Sequence, residues 1–406
     1  MKQFEIPTYY KSSFIGAIKE LRRVSDPRKK DFTPTLLDFG PIQFYIARHF
    51  GFCYGVENAI EIAYRAVEEN PNKRILLLSQ MIHNPIVNKD LQAKGINFIM
   101  DTEGNHFIEF DDLTNNDIVL IPAFGTTLEI EQILKDKSIE IQQYNTTCPF
   151  VNKVWKQSDK LGNDNYTVVI HGKNNHEETR ATFSHSNAAA PSIVIKDIKE
   201  ARIIGGIILG EIDKNIFYKE FEGRYSSRFD VEQHLGRLGV VNQTTMLATE
   251  TQEIADYFKQ VMIDKYGEPQ LKDHFADSRD TLCYATNDNQ QATYGLLEKS
   301  ADIAIVVGGY NSSNTSHIVE LCEEKLPTFF ISSSADIKDE STIHHFNYHE
   351  QELYETKGYL PSSKPAQIIL TSGASCPDTM IDEVINKLIS YFPGSKSTAD
   401  VLKEMS

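Results

Sequence analysis

The sequence predicts an α/β protein made of three similar strand–helix units, each built on a mainly parallel sheet. Three observations lead there. Strand-like apolar runs alternate with segments whose apolar residues recur at three- and four-residue spacing, as in strands joined by crossover helices. A cysteine stands where such a helix begins three times over: Cys53 in GFCYG, Cys148 in NTTCPF and Cys283 in TLCYAT. Each is followed, 30, 28 and 29 residues on, by a polar loop: His83 in MIHNP, His176 in NNHEE and Ser312 in NSSN. Repetition at a fixed offset sets an architecture before any single motif does. Three thiols, one per copy, meeting at one point would make a site that no copy forms alone.

Each copy adds a third loop after an apolar strand: DIVLIPAFGTT (117–127), GVVNQTTM (239–246) and IILTSGAS (368–375). Each presents Thr or Ser hydroxyls and leads into an amphipathic helix: EIEQILKD, ETQEIADYFKQV and DTMIDEVINKLISYF. In parallel sheets the ligand loops lie beyond the carboxyl ends of the strands, where all nine loops are expected. The repeats are drawn at 43–147, 148–282 and 283–387, with an extension at 1–42 and a tail at 388–406. Mixed-charge residues near 191–235 interrupt the second repeat, and polar residues near 335–363 interrupt the third. The basic stretch KELRRVSDPRKK in the extension reads as a solvated helix and loop packed on the core. His344, His345 and His349 have no cysteine or strand context and read as a surface loop, not a metal site.

Bulk properties bound the function. The 406 residues are 40% apolar and 24% charged, ordinary for globular domains. A net charge of −16 argues against nucleic acid or an anionic membrane as partner. An anionic substrate must then be held by local donors. No run approaches the roughly 18–20 apolar residues of a membrane span, and MKQFEIPTYYKSS has no apolar signal core, so a cytoplasmic protein is expected. The five cysteines are widely spaced and contain no C-x-x-C, which disfavours a disulfide framework or a zinc ribbon.

Cys322, inside the helix IVELCEEK, and Cys376 read as core residues. Cys53, Cys148 and Cys283 differ, because unpaired amides and the positive helix end favour thiolate. Three thiolates suit an iron–sulfur cluster better than nucleophilic catalysis, which needs one. Three ligands to a four-iron cube leave one iron open; zinc with three cysteines is the rival reading. His83, His176, Ser312, Ser313 and Asn314, backed by helix N-termini, suit an oxyanion or phosphate cradle. Neither a Walker loop nor G-x-G-x-x-G is present, so the anion is expected to belong to a small substrate. Glu178 could donate protons if the site raises its pKa.

These motifs resemble those of the LytB/IspH family of 4-hydroxy-3-methylbut-2-enyl diphosphate reductases. The resemblance runs from about residue 43 to 385 and includes GFCYGVENAI (51–60), TTCPFVNKV (146–154), HGKNNHEET (171–179), VNQTTML (241–247), VVGGYNSSNTSH (306–317) and TSGASCPD (371–378). The IPAFGTT loop and longer N-terminus look most like the plastid and cyanobacterial branch. The resemblance implies three αβα domains in pseudo-threefold arrangement around one [4Fe–4S] cluster held by Cys53, Cys148 and Cys283. It assigns diphosphate contacts to His83, His176, Ser312, Asn314 and Ser375, with Ser313 in the same loop. It places Thr244 near the substrate hydroxyl and makes Glu178 the proton donor of a His-x-Glu motif. The implied reaction is reductive dehydroxylation of an allylic diphosphate to isopentenyl and dimethylallyl diphosphates, with ferredoxin or flavodoxin as electron donor. Where many members have a diphosphate-contacting His, this chain has Phe124; the following Thr126 and Thr127 are expected to serve as anion contacts instead. The competing readings are an iron–sulfur hydro-lyase, needing no redox partner, and an iron–sulfur electron carrier or sensor, which has no use for Glu178.

Overall fold

Runs such as IAIVV (303–307) and AQIILTS (366–372) are apolar on both faces, and such runs fold as parallel strands buried between helices. The computed structural model of the chain describes residues 4–276 and 281–405. In chain order the strands are β1 (Thr35–Asp38), β2 (Ile42–Ile46), β3 (Ile75–Leu77), β4 (Asn97–Phe98), β5 (Ile118–Leu120), β6 (Thr167–His171) and β7 (Ser192–Ile195). They continue with β8 (Leu238–Asn242), β9 (Phe275–Ala276), β10 (Ile303–Val307), β11 (Thr328–Ile331), β12 (Thr342–Asn347), β13 (Glu352–Lys357) and β14 (Ala366–Ser372).

Two compact units result. The first comprises Met1–Glu57, His83–Ile86 and Tyr284–Ser406; the second comprises Asn58–Ile82 and Val87–Cys283. In the first, a five-stranded sheet runs β1-β2-β14-β10-β11, parallel except for β1. Its core includes Phe39, Phe44, Ile305, Leu370 and Ile381. The second unit holds two parallel sheets, β4-β3-β5 and β7-β6-β8-β9. The three sheets and their helices are the αβα layers expected from the repeat.

The cysteine-bearing segments pair differently from the boundaries drawn at 43, 148 and 283. β2, which leads to Cys53, pairs parallel with β14, and Cys53 N donates to Ala374 O at 3.1 Å. The segment before Cys148 joins β5 through a bridge between Ile121 and Asn145, and Cys148 N donates to Ala123 O at 2.9 Å. β9, ahead of Cys283, pairs with β8. Cys148 and the segment before Cys283 are thus tied to the sheet of the preceding copy, and Cys53 to the sheet of the third. Local periodicity marks a strand but does not say which open sheet edge it completes.

The flanking segments are also more ordered than their composition predicts. In the extension, α1 (Ser13–Ser25) is capped by Ser12, which accepts from Ile15 N at 3.0 Å, and buries Phe14, Ile15 and Ile18 in the first unit's core. That bears out a helix packed on the core. Residues 191–235 are not an insertion into the sheet: they supply β7, which pairs with β6, and a helix at Ile198–Leu209. The His-rich segment is an antiparallel β12–β13 hairpin, not a loop. His344, His345 and His349 each have their own partner there: Glu355 at 3.2 Å, Thr356 at 2.8 Å and Glu323 at 2.8 Å. Charge masked the alternation that makes the hairpin.

Two glycines let strand ends approach helix starts. A Cβ at Gly308 would fall 2.7 Å from Thr315 Oγ1, and one at Gly172 would fall 2.7 Å from Thr179 Oγ1. The same seven-residue spacing therefore builds the same contact in two copies. At Gly373 the clash with Thr315 Oγ1 would be at 2.0 Å. Gly373→Ala should lower stability by about 1–3 kcal/mol through overpacking. Gly16→Ala, in α1 with nothing within 4 Å, should raise it by up to about 1 kcal/mol. Urea unfolding of the two variants would show these opposite signs.

Candidate active site

The three repeated cysteines each stand immediately before a helix. Cys53 precedes α2 (Tyr54–Glu69), in the first unit, and its carbonyl accepts from Glu57 N at 3.0 Å. Cys148 and Cys283 belong to the second unit. Numbering α3 (Pro85–Ala93), α4 (Leu128–Asp136), α5 (Pro149–Asn163) and α6 (Glu177–Ala189), Cys148 is the N-cap of α5. Cys283 precedes the helix Tyr284–Leu297. None of the five cysteines is in a disulfide. Burial pushes the thiols of Cys322 and Cys376 up to about 12, so both stay neutral core residues. Among the described residues, no three His, Cys, Asp or Glu side chains gather closely enough to hold a single metal ion. The donor chemistry of the three helix-start thiols still fits an iron–sulfur group: soft sulfur ligands, with helix amides behind them to stabilise thiolate.

In the first unit the expected anion contacts come together. His83 is buried, and Asn311 Nδ2 stands 3.1 Å from its Nδ1. The amide donates, so Nδ1 accepts and Nε2 carries the hydrogen. Burial holds the His83 pKa down to about 3, so the ring is neutral. Ser375 Oγ donates to His83 O at 3.2 Å, and Asn314 Oδ1 accepts from Ala374 N at 2.8 Å. Ser312 caps the helix Ser313–Glu323, accepting from Thr315 N at 3.3 Å. Ser313 Oγ and Asn314 Nδ2 are buried without a partner among the described residues. Buried donors left unmade cost about 1–3 kcal/mol each, so this loop offers hydrogen-bonding capacity that the fold does not use.

The second unit carries Glu178. His176 is the N-cap of α6, and its Nδ1 accepts from Glu178 N at 3.1 Å, so its Nε2 carries the hydrogen. Glu178 is 1% exposed, and Thr244 N donates to its Oε1 at 2.5 Å. Burial raises the Glu178 pKa to about 7 against the opposing pull of Thr244. Glu177 is also buried and raised to about 7; it faces elsewhere, bonded to Ser79 Oγ. Phe124 meets the His176 ring edge to face, centroids 5.6 Å apart. Thr126 is buried, and Thr127 Oγ1 caps α4 by accepting from Ile130 N at 3.4 Å, which leaves its O–H to donate, as at the Ser312 cap.

Sequence reasoning did not single out Thr179, Gln243, Asn311 or Thr315. Thr179 Oγ1 donates to Gln243 Oε1 at 3.0 Å, and Lys173 N donates to the same oxygen at 3.1 Å, which locks the β6 and β8 loops together. The recurring Gly172–Thr179 and Gly308–Thr315 spacing was the available signal.

The class defined here is a layered αβα protein with buried unpaired donors in its first unit, a buried carboxyl in its second, and three helix-start thiols. The LytB protein family matches residues 44–389, and the chain belongs to that family, one of iron–sulfur proteins. The chain is similar to proteins named 4-hydroxy-3-methylbut-2-enyl diphosphate reductase: 39% identical over 352 residues in Picosynechococcus sp., covering 86% of this chain and 85% of that one. In Synechococcus sp. the figures are 38% over 382 residues, covering 94% and 90%. Both are cyanobacterial, the branch the IPAFGTT loop suggested. Among solved structures, the E-1-hydroxy-2-methyl-but-2-enyl-4-diphosphate reductase of Plasmodium falciparum aligns with a TM-score of 0.62 at 23% identity, covering 86% of this chain and 89% of that one. An (E)-4-hydroxy-3-methyl-but-2-enyl diphosphate reductase aligns at 0.51 and 22%, covering 85% and 98%. These likenesses show the shared fold.

The buried imidazole has a measurable consequence. A histidine whose folded pKa is lowered contributes stability above its unfolded pKa of 6.5, and that stability is lost as the pH falls towards 3. Wild-type stability should therefore fall below pH 6.5 more steeply than that of His83→Gln, by up to about 1.4 kcal/mol per pH unit. Chemical denaturation at pH 4, 5, 6 and 7 measures the difference in slope; parallel curves would show that His83 does not titrate as a buried base.

Proposed function

We propose that this chain reduces 4-hydroxy-3-methylbut-2-enyl diphosphate to isopentenyl and dimethylallyl diphosphates, the last step of the non-mevalonate pathway. The observation that carries this reading is Glu178: a buried carboxyl, raised to about 7, fixed by Thr244 N on the first turn of the helix capped by His176. In the reaction a C–O bond breaks, two electrons and two protons are consumed, and the oxygen leaves as water. At neutral pH a carboxyl with this pKa is available in its protonated form, and it can protonate the leaving oxygen so that hydroxide is not expelled. The Thr244 hydroxyl stands beside it for the substrate hydroxyl. His83 and His176 act as neutral Nε2–H donors, and Ser312, Ser313, Asn314, Thr126 and Thr127 as further donors to the diphosphate, joined by Ser375 when its hydroxyl turns from His83 O. Binding that remote group orients the reacting carbon.

A [4Fe–4S] cluster on Cys53, Cys148 and Cys283 would supply the electrons and a Lewis acid. Ferredoxin or flavodoxin delivers them from outside. Each single Cys→Ser change at these positions should strip the cluster, while Cys322→Ser and Cys376→Ser should retain it. Iron and sulfide analysis after anaerobic purification reads this; full cluster content in Cys148→Ser would remove that residue from the ligand set.

Anaerobic oxidation of a reduced dye by the purified protein tests the activity itself, since neither a hydro-lyase nor an electron carrier would show substrate-dependent oxidation. Glu178→Gln should lower kcat about 10²- to 10⁴-fold with the cluster intact, and Glu177→Gln should change it little. Because the protonated acid is the active form, kcat should fall as the pH rises through about 7. That limb should persist in Glu177→Gln. A limb that vanished with Glu177 would reassign the acid.

A further inference from the structure

We propose that His185 is a positioning residue that holds the Phe124–Thr127 turn against α6, setting that turn for the substrate's diphosphate. The proposal rests on the reductase reading above. Glu178, Thr182 and His185 follow at i, i+4 and i+7 and so form one stripe of α6. Trp155 on α5 lies along that stripe. Its Nε1 donates to Thr182 Oγ1 at 3.2 Å, and its indole stacks on the His185 ring, with centroids 3.6 Å and planes 10° apart. The stacked ring places His185 Nε2 3.2 Å from Thr126 O. A carbonyl only accepts, so Nε2 carries the hydrogen and donates. Glu131, 3.9 Å from the same nitrogen, favours that geometry electrostatically, while burial keeps the ring from charging readily.

The turn is bracketed by the same helix on its other sides. Phe124 packs on His176, the cap of α6. Leu128 N donates to Ser184 Oγ at 3.0 Å. Gly125 has φ +77° and lies so close to Trp155 that a Cβ would fall 2.5 Å from Cη2. The Phe124 side chain offers no donor to an anion, so the turn's side-chain contribution falls to Thr126 and Thr127, and His185 grips the carbonyl of Thr126. The helix bearing the acid therefore also sets the orientation of the turn.

Steady-state kinetics of the cluster-loaded enzyme test this. His185→Ala should raise the KM for the allylic diphosphate and the Ki of inorganic diphosphate together, each about three- to tenfold, with kcat little changed, as for loss of one hydrogen bond. His185→Gln, whose amide can donate to the same carbonyl, should recover most of the loss. A purely structural role would lower the active fraction, and so kcat, without moving KM or Ki. Trp155 is the only tryptophan, so its emission gives a second readout on the wild type. Inorganic diphosphate should change that emission with a half-saturation equal to its Ki. Unchanged KM and Ki in folded His185→Ala, or diphosphate inhibition with no change in Trp155 emission, overturns the proposal. A wild-type protein that does not turn over the substrate overturns the reductase reading instead, and the fluorescence titration still decides the role of the turn.

Discussion

The structure depends on one close approach, made where a strand ends and a helix begins. At Gly172 and Gly308 the backbone has no room for a Cβ, because the hydroxyls of Thr179 and Thr315 lie against it. That contact sets the helix start, and with it the N-cap residue three positions before the threonine: His176 in one case, Ser312 in the other. A parallel sheet brings loops to the carboxyl ends of its strands. The glycine–threonine contact converts that general tendency into defined positions for a donor and for the helix amides behind it.

On the proposed function, helix starts also explain how a chain of net charge −16 would hold an anion. The global field repels a diphosphate; amides, hydroxyls and neutral imidazoles do not. Burial keeps His83 neutral, and its contact with Asn311 leaves the hydrogen on Nε2, so the ring serves as a donor without introducing a buried charge. Burial acts on Glu178 in the opposite direction and holds a proton on the carboxyl near neutral pH. One physical cause thus keeps a carboxyl protonated in one unit and an imidazole neutral in the other.

Glu177 and Glu178 show why adjacent residues with similar burial differ in role. Both are raised to about 7, but a helix turns 100° between them. Glu178 meets the Thr244 amide in the β8 loop, and Glu177 meets Ser79 after β3. The first contact places a carboxyl against the loop after β8; the second ties two layers of the same unit together.

Much of this was legible in the sequence. Alternating strands and helices gave the α/β class, and the recurrence of Cys53, Cys148 and Cys283 ahead of helices gave the capping positions, because both patterns are local and periodic. The core roles of Cys322 and Cys376 followed from their surroundings in the same way. Strand partners were not legible. That β2 completes the edge of β14, that residues 192–195 extend the second sheet, and that 342–357 fold as a hairpin are outcomes of edge pairing between segments far apart in the chain. Thr127, an expected anion contact, also caps α4, and its hydroxyl accepts there while keeping its own hydrogen to donate, as does that of Ser312. Residue type and spacing determine which groups a loop can offer. Only the folded chain decides which of them the backbone has already used, because hydrogen-bond partners are assigned by tertiary proximity and not by sequence neighbourhood.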